Sequence, residues 1–161
     1  MLKMNPTNIA KEIIEKNIYL TLATSDKKGT PWISPVFFAY DFNYNFYWCS
    51  EKRSRHSKLI EQNNRVAAVI FDSSVPEGKG NGVYIIGKAE EVQKKEIAHA
   101  INVVYNRKKK NNPYKKFRHI NDFTSNSPWR MYKLLPHTFW TLKDTVKVKG
   151  YPVDRKTEVK L

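Results

Sequence analysis

The hydrophobic pattern at the start of the chain predicts a helix that packs on one side. In residues 7–16 the isoleucines are spaced so that they share one helical face. Asn5-Pro6 precedes this stretch and is a common start signal, because Asn caps a helix and Pro suits its first turn. We therefore expect an amphipathic helix over residues 7–16.

Strand-forming residues dominate the next stretch in three runs. Residues 18–24, 32–40 and 46–50 are rich in β-branched and aromatic side chains. The turn-forming segments Ser25–Gly29 and Asp41–Asn45 separate them. Because strands joined by short turns pair with their neighbours along the chain, we expect a three-stranded antiparallel meander.

Pro31 and Pro35 favour a sheet edge or a bulge for the second of these strands. Proline has no N–H to donate to a neighbouring strand, so within sheets it is confined to such places. The free backbone groups of an edge need hydrogen-bond partners. Solvent or a ligand with donors and acceptors can supply them, and the sequence leaves both open.

The rest of the chain continues the mixture of strands and helices. Helices are expected at 55–63 and 94–107, and strands at 66–72, 82–92, 129–135 and 138–142, with Pro136 between the last two. The charged tail 144–161 either pairs late or wraps a partner. With about six or seven strands and two or three helices, the chain is mainly β (α+β), which suggests an antiparallel barrel or sandwich with helices on its surface.

Length and composition exclude several classes of protein. A chain of 161 residues is most simply one domain, residues 1–161, because one core serves roughly 100–200 residues. Cys49 is the only cysteine, which excludes an internal disulfide and a thiolate-rich metal site. The start of the sequence has no apolar signal region, and no stretch reaches the roughly 18 apolar residues of a membrane span. A cytoplasmic protein is the expectation.

The net charge of +14 at pH 7 favours polyanionic partners, nucleic acid among them. Residues 107–118 carry seven positive charges and no acidic residue, so half of the surplus is one local patch. Tyr114 and Phe117 are interleaved with these cations, as in proteins that bind single strands. Nucleic-acid binding through 107–118 is therefore an alternative, although a solvated surface is the more common role of such a patch.

Several motifs lack the context that their chemistry needs. Gly78–Gly82 contains Gly-Lys-Gly, but it precedes a strand and lacks the spacing of a phosphate-binding P-loop. The four histidines show neither metal-ligand spacing nor the local signature of a Ser-His-Asp triad. Cys49 lies in an aromatic strand, where packing is a more common role than nucleophilic catalysis. The sequence therefore assigns no catalytic residue and no metal ligand.

The segment Phe46–Arg65 carries the most specific chemistry of the chain. An aromatic strand leads into a predicted helix that opens with Ser54-Arg55-His56-Ser57-Lys58. The free N–H groups and positive dipole end of a helix start attract anions, whereas cations there cost about 0.3–1 kcal/mol each at most. A helix tolerates such a cost without a ligand, but a bound phosphate would reconcile the cations with the dipole. Flat aromatic surface beside a phosphate site suits a planar phosphorylated cofactor.

Four stretches carry a resemblance to a known family: Pro31–Phe37, Phe46–Ser50, Ser54–Val66 and Gly82–Glu90. Their order and spacing resemble the pyridoxamine 5′-phosphate oxidase-like family, the FMN-binding split β-barrels. The resemblance implies an antiparallel split β-barrel of about six strands with two or three peripheral helices. It also implies a homodimer that holds FMN at its interface and uses it on a small-molecule substrate.

The resemblance assigns cofactor roles by position. The start of the predicted helix would hold the FMN phosphate, one strand would line the isoalloxazine with backbone groups, and another would flank the ring and the ribityl chain. A tryptophan of the second subunit often reaches the flavin in this family, and Trp140 is a looser match to it. The implied cofactor-binding residues are Ile33, Ser34, Pro35, Val36, Trp48, Cys49, Ser50, Ser54, Arg55, His56, Ser57, Lys58 and Trp140.

The substrate part of the family pattern is missing. The segment Gly150–Arg155 lacks the Arg-Leu-His element with which the vitamin B6 oxidase grips its substrate, and Gly82 stands where that oxidase usually has glutamine. We therefore expect a flavin-dependent oxidoreductase that is related to the vitamin B6 oxidase but acts on another small molecule. A non-catalytic protein that binds FMN, haem or a deazaflavin is the alternative within the same fold.

Overall fold

The computed structural model describes residues 5–107, 119–124 and 126–161. In these residues eight strands form one sheet, accompanied by three α-helices and two 3₁₀ turns, Lys94–Glu96 and Ile120–Phe123. The α-helices are α1 (Pro6–Lys16), α2 (Arg55–Gln62) and α3 (Ile97–Asn106). The strands are β1 (Tyr19–Ser25), β2 (Pro31–Phe37), β3 (Ala39–Tyr40), β4 (Phe46–Glu51), β5 (Arg65–Phe71), β6 (Gly82–Glu91), β7 (Trp129–Val148) and β8 (Tyr151–Val159).

Helix α1 forms where the hydrophobic pattern predicts it. The Asn5 side chain caps its start by accepting a hydrogen bond from the Thr7 N–H, and Pro6 occupies the first turn. Ala10 and Ile14 are fully buried against the sheet, whereas most of the opposite side of the helix is exposed. The helix therefore seals one side of the main core.

The sheet is almost entirely antiparallel and has the order β2-β1-β5-β6-β7-β4-β3. The 20-residue strand β7 organises it. Strand β6 pairs along one edge of β7, while β4 and then β8 pair along successive parts of the other edge. Strands β2 and β3 lie at the two ends of this order, so the sheet curls without closing.

The predicted three-stranded meander is wrong in one respect. The run 32–40 divides into β2 and β3; among the described strands, β2 pairs only with β1 and β3 pairs only with β4. Phe38 lies between them, fully buried, with its N–H donating to the carbonyl of Ile18. Phe38 thus separates the hairpin β1–β2 from the hairpin β3–β4, and the two hairpins lie at opposite ends of the strand order.

Pro136 does not interrupt β7, where two separate strands had been expected. Opposite it, the register of β6 shifts between Ile86 and Gly87. A Cβ on Gly87 would lie 2.3 Å from the Leu135 carbonyl oxygen and 3.0 Å from the Pro136 Cα. Glycine at this position therefore lets the two backbones approach closely enough to carry the strand past the proline.

The charged tail pairs within the chain. Lys149 and Gly150 both have positive φ and form the two-residue turn that joins β7 to β8. Strand β8 then runs back along β7, and its last residue, Val159, is buried in the main core. Of the two expectations for the tail, late pairing is confirmed.

Two apolar cores lie on opposite faces of the sheet around β4. Phe46 and Trp48 point into the main core inside the curl, together with α1. Tyr47 and Cys49 point the other way into a second core that α3 covers. The alternation follows from the two-residue period of a strand, and it fixes which side chains of β4 can reach the barrel interior.

The expected fold class is confirmed: the described chain is a mostly antiparallel sheet curled into a half-barrel with peripheral helices. Within the described residues, no helix is long and apolar enough to cross a membrane.

Candidate functional site

Ser54 positions the start of helix α2. Its backbone is extended, and its side-chain oxygen accepts a hydrogen bond from the Ser57 N–H at 3.4 Å, which makes it the N-cap. The Lys58 N–H donates to the Ser54 carbonyl at 3.1 Å and starts the helical pattern. The first turn contains no acidic side chain. The positive end of the helix is therefore not neutralised by the helix itself.

Hydroxyl groups and one imidazole surround this helix start. His56 Nε2 lies 2.9 Å from Ser50 Oγ and 3.2 Å from Ser54 Oγ. Ser54 Oγ in turn lies 2.8 Å from Ser57 Oγ. Ser50 comes from the end of β4, so this network joins the strand to the helix that follows it. The structure thus brings together four residues that the sequence assigns to cofactor binding.

Arg55 extends from the same helix start over an aromatic ring of the barrel edge. Its guanidinium carbon lies 4.2 Å from the centre of the Trp32 ring, a cation–π contact. The Trp32 indole N–H donates to Ser34 Oγ at 2.9 Å. These contacts connect the helix start to β2, a second stretch assigned to cofactor binding.

Trp32 contacts the helix start but is not among the residues that the sequence assigns to cofactor binding. Trp32 and Ser34 lie two positions apart in a strand, so they share one face. That spacing, together with a tryptophan at the start of an edge strand, was the signal available in the sequence.

Strand β2 offers both side chains and backbone to this region. Ser34 and Val36 point inward and are buried, whereas Ile33 and Pro35 point outward and are exposed. One edge of β2 is bonded to β1, and the other has no strand partner within the described ranges. The predicted edge strand is therefore present, and its outer edge faces the open seam.

The assigned residues of β4 differ in what they expose. Trp48 is fully buried and stacks on Tyr132 with ring centres 5.8 Å apart. Cys49 faces the second core, and burial raises the pKa of its thiol to about 12. Ser50 reaches the helix start directly. Trp48 and Cys49 are thus packed in the two cores, and they hold β4 in place next to the helix start.

Trp140 lies on another face of the sheet from the helix start. Its neighbours Phe139 and Thr141 point into the barrel, so Trp140 points outward beside its cross-strand partner Tyr84. The Tyr84 ring is in turn covered by Lys156, whose Nζ lies 4.2 Å from the ring centre.

The electrostatics of the helix start suit a phosphate group. Arg55 and Lys58 supply positive charge, the serine hydroxyls supply donors, and the first-turn N–H groups have no acceptor within a helix. Burial lowers the pKa of His56, so its imidazole favours the neutral form. The donor set and the missing acid therefore fit a phosphomonoester. No group of three or more His, Cys, Asp or Glu side chains in the described parts of the chain is placed to hold a metal ion.

An open antiparallel barrel whose seam faces a helix start defines the class of split β-barrel proteins. Within it, this chain belongs to the pyridoxamine 5′-phosphate oxidase family, whose sequence profile matches residues 7–124. Proteins of this family bind flavins. No curated protein sequence matches the chain.

Solved structures share the fold at low sequence identity. A haem-binding protein from Mycobacterium smegmatis superposes with a TM-score of 0.70 and 19% identity, over 98% of this chain and 59% of its own length. The chain thus spans about three fifths of that protein. The haem storage protein HutZ from Vibrio cholerae gives 0.62 and 17%, over 83% and 92% of the two chains. An FAD-binding protein from Mesorhizobium loti gives 0.58 and 18%, over 81% and 87%.

Proposed function

We propose that this protein binds FMN at the start of helix α2 and uses it for redox chemistry on a small organic molecule. One observation carries the proposal: a helix start with no acid in its first turn lies beside three serine hydroxyls, and the helix carries Arg55 and Lys58. Such a donor set matches a phosphomonoester in charge and in hydrogen bonding.

In this proposal the residues of the chain bind FMN and orient its ring. Arg55 and Lys58 would neutralise the phosphate, and the N–H groups of the first turn, with the Ser50 and Ser54 hydroxyls, would donate to its oxygens. Ser57, which is fully buried, would hold the Ser54 hydroxyl in place. The free edge of β2 would meet the ring system with backbone donors and acceptors, since that edge has no strand partner in the described residues. FMN, when bound, supplies hydride chemistry at its ring, so the protein needs no general acid or base for that step.

A homodimer is part of the proposal, and the outer face of the sheet supports it. Cross-strand register aligns Ile33, Ala23, Ala67 and Ile86 in one row over four neighbouring strands. Ile33 is 62% exposed and Ile86 is 54% exposed. A continuous apolar row on an outer sheet face is typical of a surface that another protein covers.

A second copy of the chain is the occupant that we propose for this face. The next row contains Val69, Tyr84 and Trp140, and beside it lies a hollow of about 350 Å³ lined by Val69, Phe71, Tyr84 and Leu142. A twofold axis through these rows would pair like with like, as self-complementary interfaces require. The same twofold arrangement would bring Trp140 of one copy close to the other copy. The family resemblance assigns to Trp140 a contact with the flavin of that second copy.

Haem is the competing cofactor within this fold, because two of the structural relatives are described as haem-binding or haem storage proteins. The helix-start donor set favours a phosphate-bearing ligand over haem. An absorbance spectrum of the purified protein, with chromatography of the cofactor released on denaturation, distinguishes them. Flavin bands and free FMN are expected. A Soret band, or a colourless protein that does not take up added FMN, would contradict the proposal.

Nucleic-acid binding gains no support from the described part of the basic segment. Arg107 is its one described member, and its guanidinium donates to the carbonyls of Ile14, Asn17 and Phe38 beneath the barrel wall. Because this cation is bound internally, it is not part of a surface for phosphates. Residues 108–118 lie outside the described residues.

A further inference from the structure

The His56 side chain contacts two serine hydroxyls at the start of helix α2. It is the second residue of α2, and its Nε2 lies within hydrogen-bond distance of two hydroxyls, Ser50 Oγ at 2.9 Å and Ser54 Oγ at 3.2 Å. Ser54 Oγ is also linked to Ser57 Oγ. A single ring nitrogen therefore joins the end of β4 to the N-cap of α2.

This network accommodates both protonation states of the imidazole. A hydroxyl can donate to an unprotonated ring nitrogen or accept from a protonated one, because its hydrogen rotates freely. Rotation of its hydroxyl lets Ser50 keep its hydrogen bond to His56 Nε2 in either state, whereas the Ser54 hydroxyl donates to Ser57 Oγ and can only accept from His56. Two factors consequently decide the charge of His56. Burial favours the neutral ring, and a charged ligand bound at the helix start would favour or oppose the protonated ring.

Burial, rather than a neighbouring charge, lowers the pKa of His56 in the ligand-free protein. Helix α2 packs on β1, β2 and β6; β2 has no ionisable side chain, and Tyr19, the one on β1, lies at the far end against Phe37. Lys58 and Glu61 on α2 and Lys88 on β6 are exposed. The remaining groups have partners of their own: Arg55 with the Trp32 ring, Glu51 with Arg53, Glu90 with Lys133, Glu91 with Arg130 and Tyr84 with Lys156. The Tyr132 ring stacks on Trp48.

We propose that His56 takes up a proton from solvent when a phosphomonoester binds at the start of α2. The inference rests on the proposed function, since it concerns the same anion site. A phosphate dianion beside the ring favours the imidazolium, which then donates to the surrounding oxygens. One N–H bond forms on the imidazole, and the bond between that proton and its solvent or buffer carrier breaks. The site therefore gains positive charge only when its ligand is present.

Proton uptake makes affinity depend on pH. Below the pKa of His56 in the free protein, the imidazole is protonated both with and without FMN, and the gain in affinity is fully present. Well above the pKa of His56 in the complex, the imidazole is neutral both with and without FMN. The gain in affinity is therefore lost as the pH rises from the first pKa to the second. Each unit by which binding raises the pKa of His56 corresponds to about tenfold in affinity. The phosphate of FMN itself titrates near pH 6, so the useful range lies above about pH 7.

Isothermal titration calorimetry with FMN at pH 7.5, in two buffers of different ionisation enthalpy, measures the protons taken up. The wild-type protein is expected to take up a fraction of a proton with FMN and none with riboflavin, which lacks the phosphate. His56→Gln should abolish the uptake and flatten the affinity between pH 7 and 8.5. His137→Gln, which changes an exposed histidine on β7, should behave like the wild type.

The outcomes separate the two proposals. Absence of FMN binding at every pH would overturn the proposed function itself. FMN binding without proton uptake, or with equal uptake by His56→Gln or with riboflavin, would overturn the role of His56 alone. If His56→Gln does not fold, NMR titration of the His56 ring in the wild type decides: its pKa must rise when FMN is added, and an unchanged pKa contradicts the inference.

Discussion

The Arg55 guanidinium lies 4.2 Å above the Trp32 ring, and this contact joins the helix start to the edge strand β2. Trp32 in turn donates to Ser34, so one chain of contacts runs from the end of α2 that is proposed to bind phosphate to the strand assigned to the flavin ring. The two parts of the proposed cofactor site, the start of α2 and strand β2, are therefore in contact within one chain.

Removal of the Arg55 charge should weaken FMN binding without affecting riboflavin. A hydrogen bond to a charged group contributes about 1.5–3 kcal/mol, so Arg55→Ala should raise the FMN Kd by roughly 10- to 100-fold. The measurement is quenching of flavin fluorescence. Arg53→Ala is the matched control, since Arg53 is 80% exposed and pairs with Glu51 outside the helix start. An equal effect of both variants would show that only net charge matters.

The contact between Arg55 and Trp32 should appear as an energetic coupling. Exposed cation–π pairs are worth about 0.5–1 kcal/mol, so Trp32→Ala should weaken FMN binding only a few-fold. In a double-mutant cycle the effects of Arg55→Ala and Trp32→Ala should be less than additive by that amount. Phe42→Ala serves as the control, because Phe42 is 86% exposed in a turn. Strict additivity would show that Trp32 does not position Arg55.

Ile86→Lys should convert the proposed dimer into a monomer. A lysine at the β6 end of the apolar row would place two like charges across the twofold interface at the cost of burying them. Light scattering after size-exclusion chromatography reports the mass. Phe42→Lys adds the same charge away from this face and should leave the mass unchanged. A wild-type protein that is monomeric at all concentrations would contradict the interface.

Gly87→Ala should destabilise the protein, because its Cβ would collide with the backbone of β7 opposite Pro136. Overpacking of this kind costs about 1–3 kcal/mol, which urea unfolding monitored by circular dichroism can measure. Gly80→Ala is the control, since only Val75 lies nearby, at 3.6 Å. Equal stability of the two variants would show that the register shift adapts to a side chain.

Stability should fall in alkaline solution through the Cys49 thiol. Burial raises the pKa of Cys49 from an ordinary value near 9 to about 12, so the folded state favours the neutral thiol. This contribution is fully present below pH 9 and is lost as pH rises toward 12. The free energy of unfolding of Cys49→Ala should start to decline only above about pH 10, where burial of Tyr132, with a pKa raised to about 12, begins to act. Identical pH profiles would contradict the assignment.

Local patterns predicted most elements because their causes are local. The cap at Asn5, the spacing of isoleucines in α1 and the cap at Ser54 all act within a few residues. The break at Phe38 and the continuity of β7 past Pro136 were missed, since each depends on a distant partner. Phe38 is held by burial and by the Ile18 carbonyl, and Pro136 is tolerated because Gly87 lies opposite.

The candidate site shows the same division. The sequence indicated Ser54–Lys58 because a helix start with cations is recognisable along the chain. It did not indicate that His56 reaches back to Ser50, or that Arg55 crosses to Trp32, because those contacts depend on the angle between α2 and the strands. The roles of the assigned residues toward FMN stay predictions.

Comparison of FMN and riboflavin binding to the cofactor-free protein tests the central claim most directly. The two ligands share the ring system and differ only in the phosphate. If the start of α2 holds that phosphate, FMN should bind at least tenfold more tightly, and Arg55→Ala should remove most of the difference. Equal affinity for both ligands, or an FMN preference that survives Arg55→Ala and Lys58→Ala together, would place the phosphate elsewhere and contradict the account.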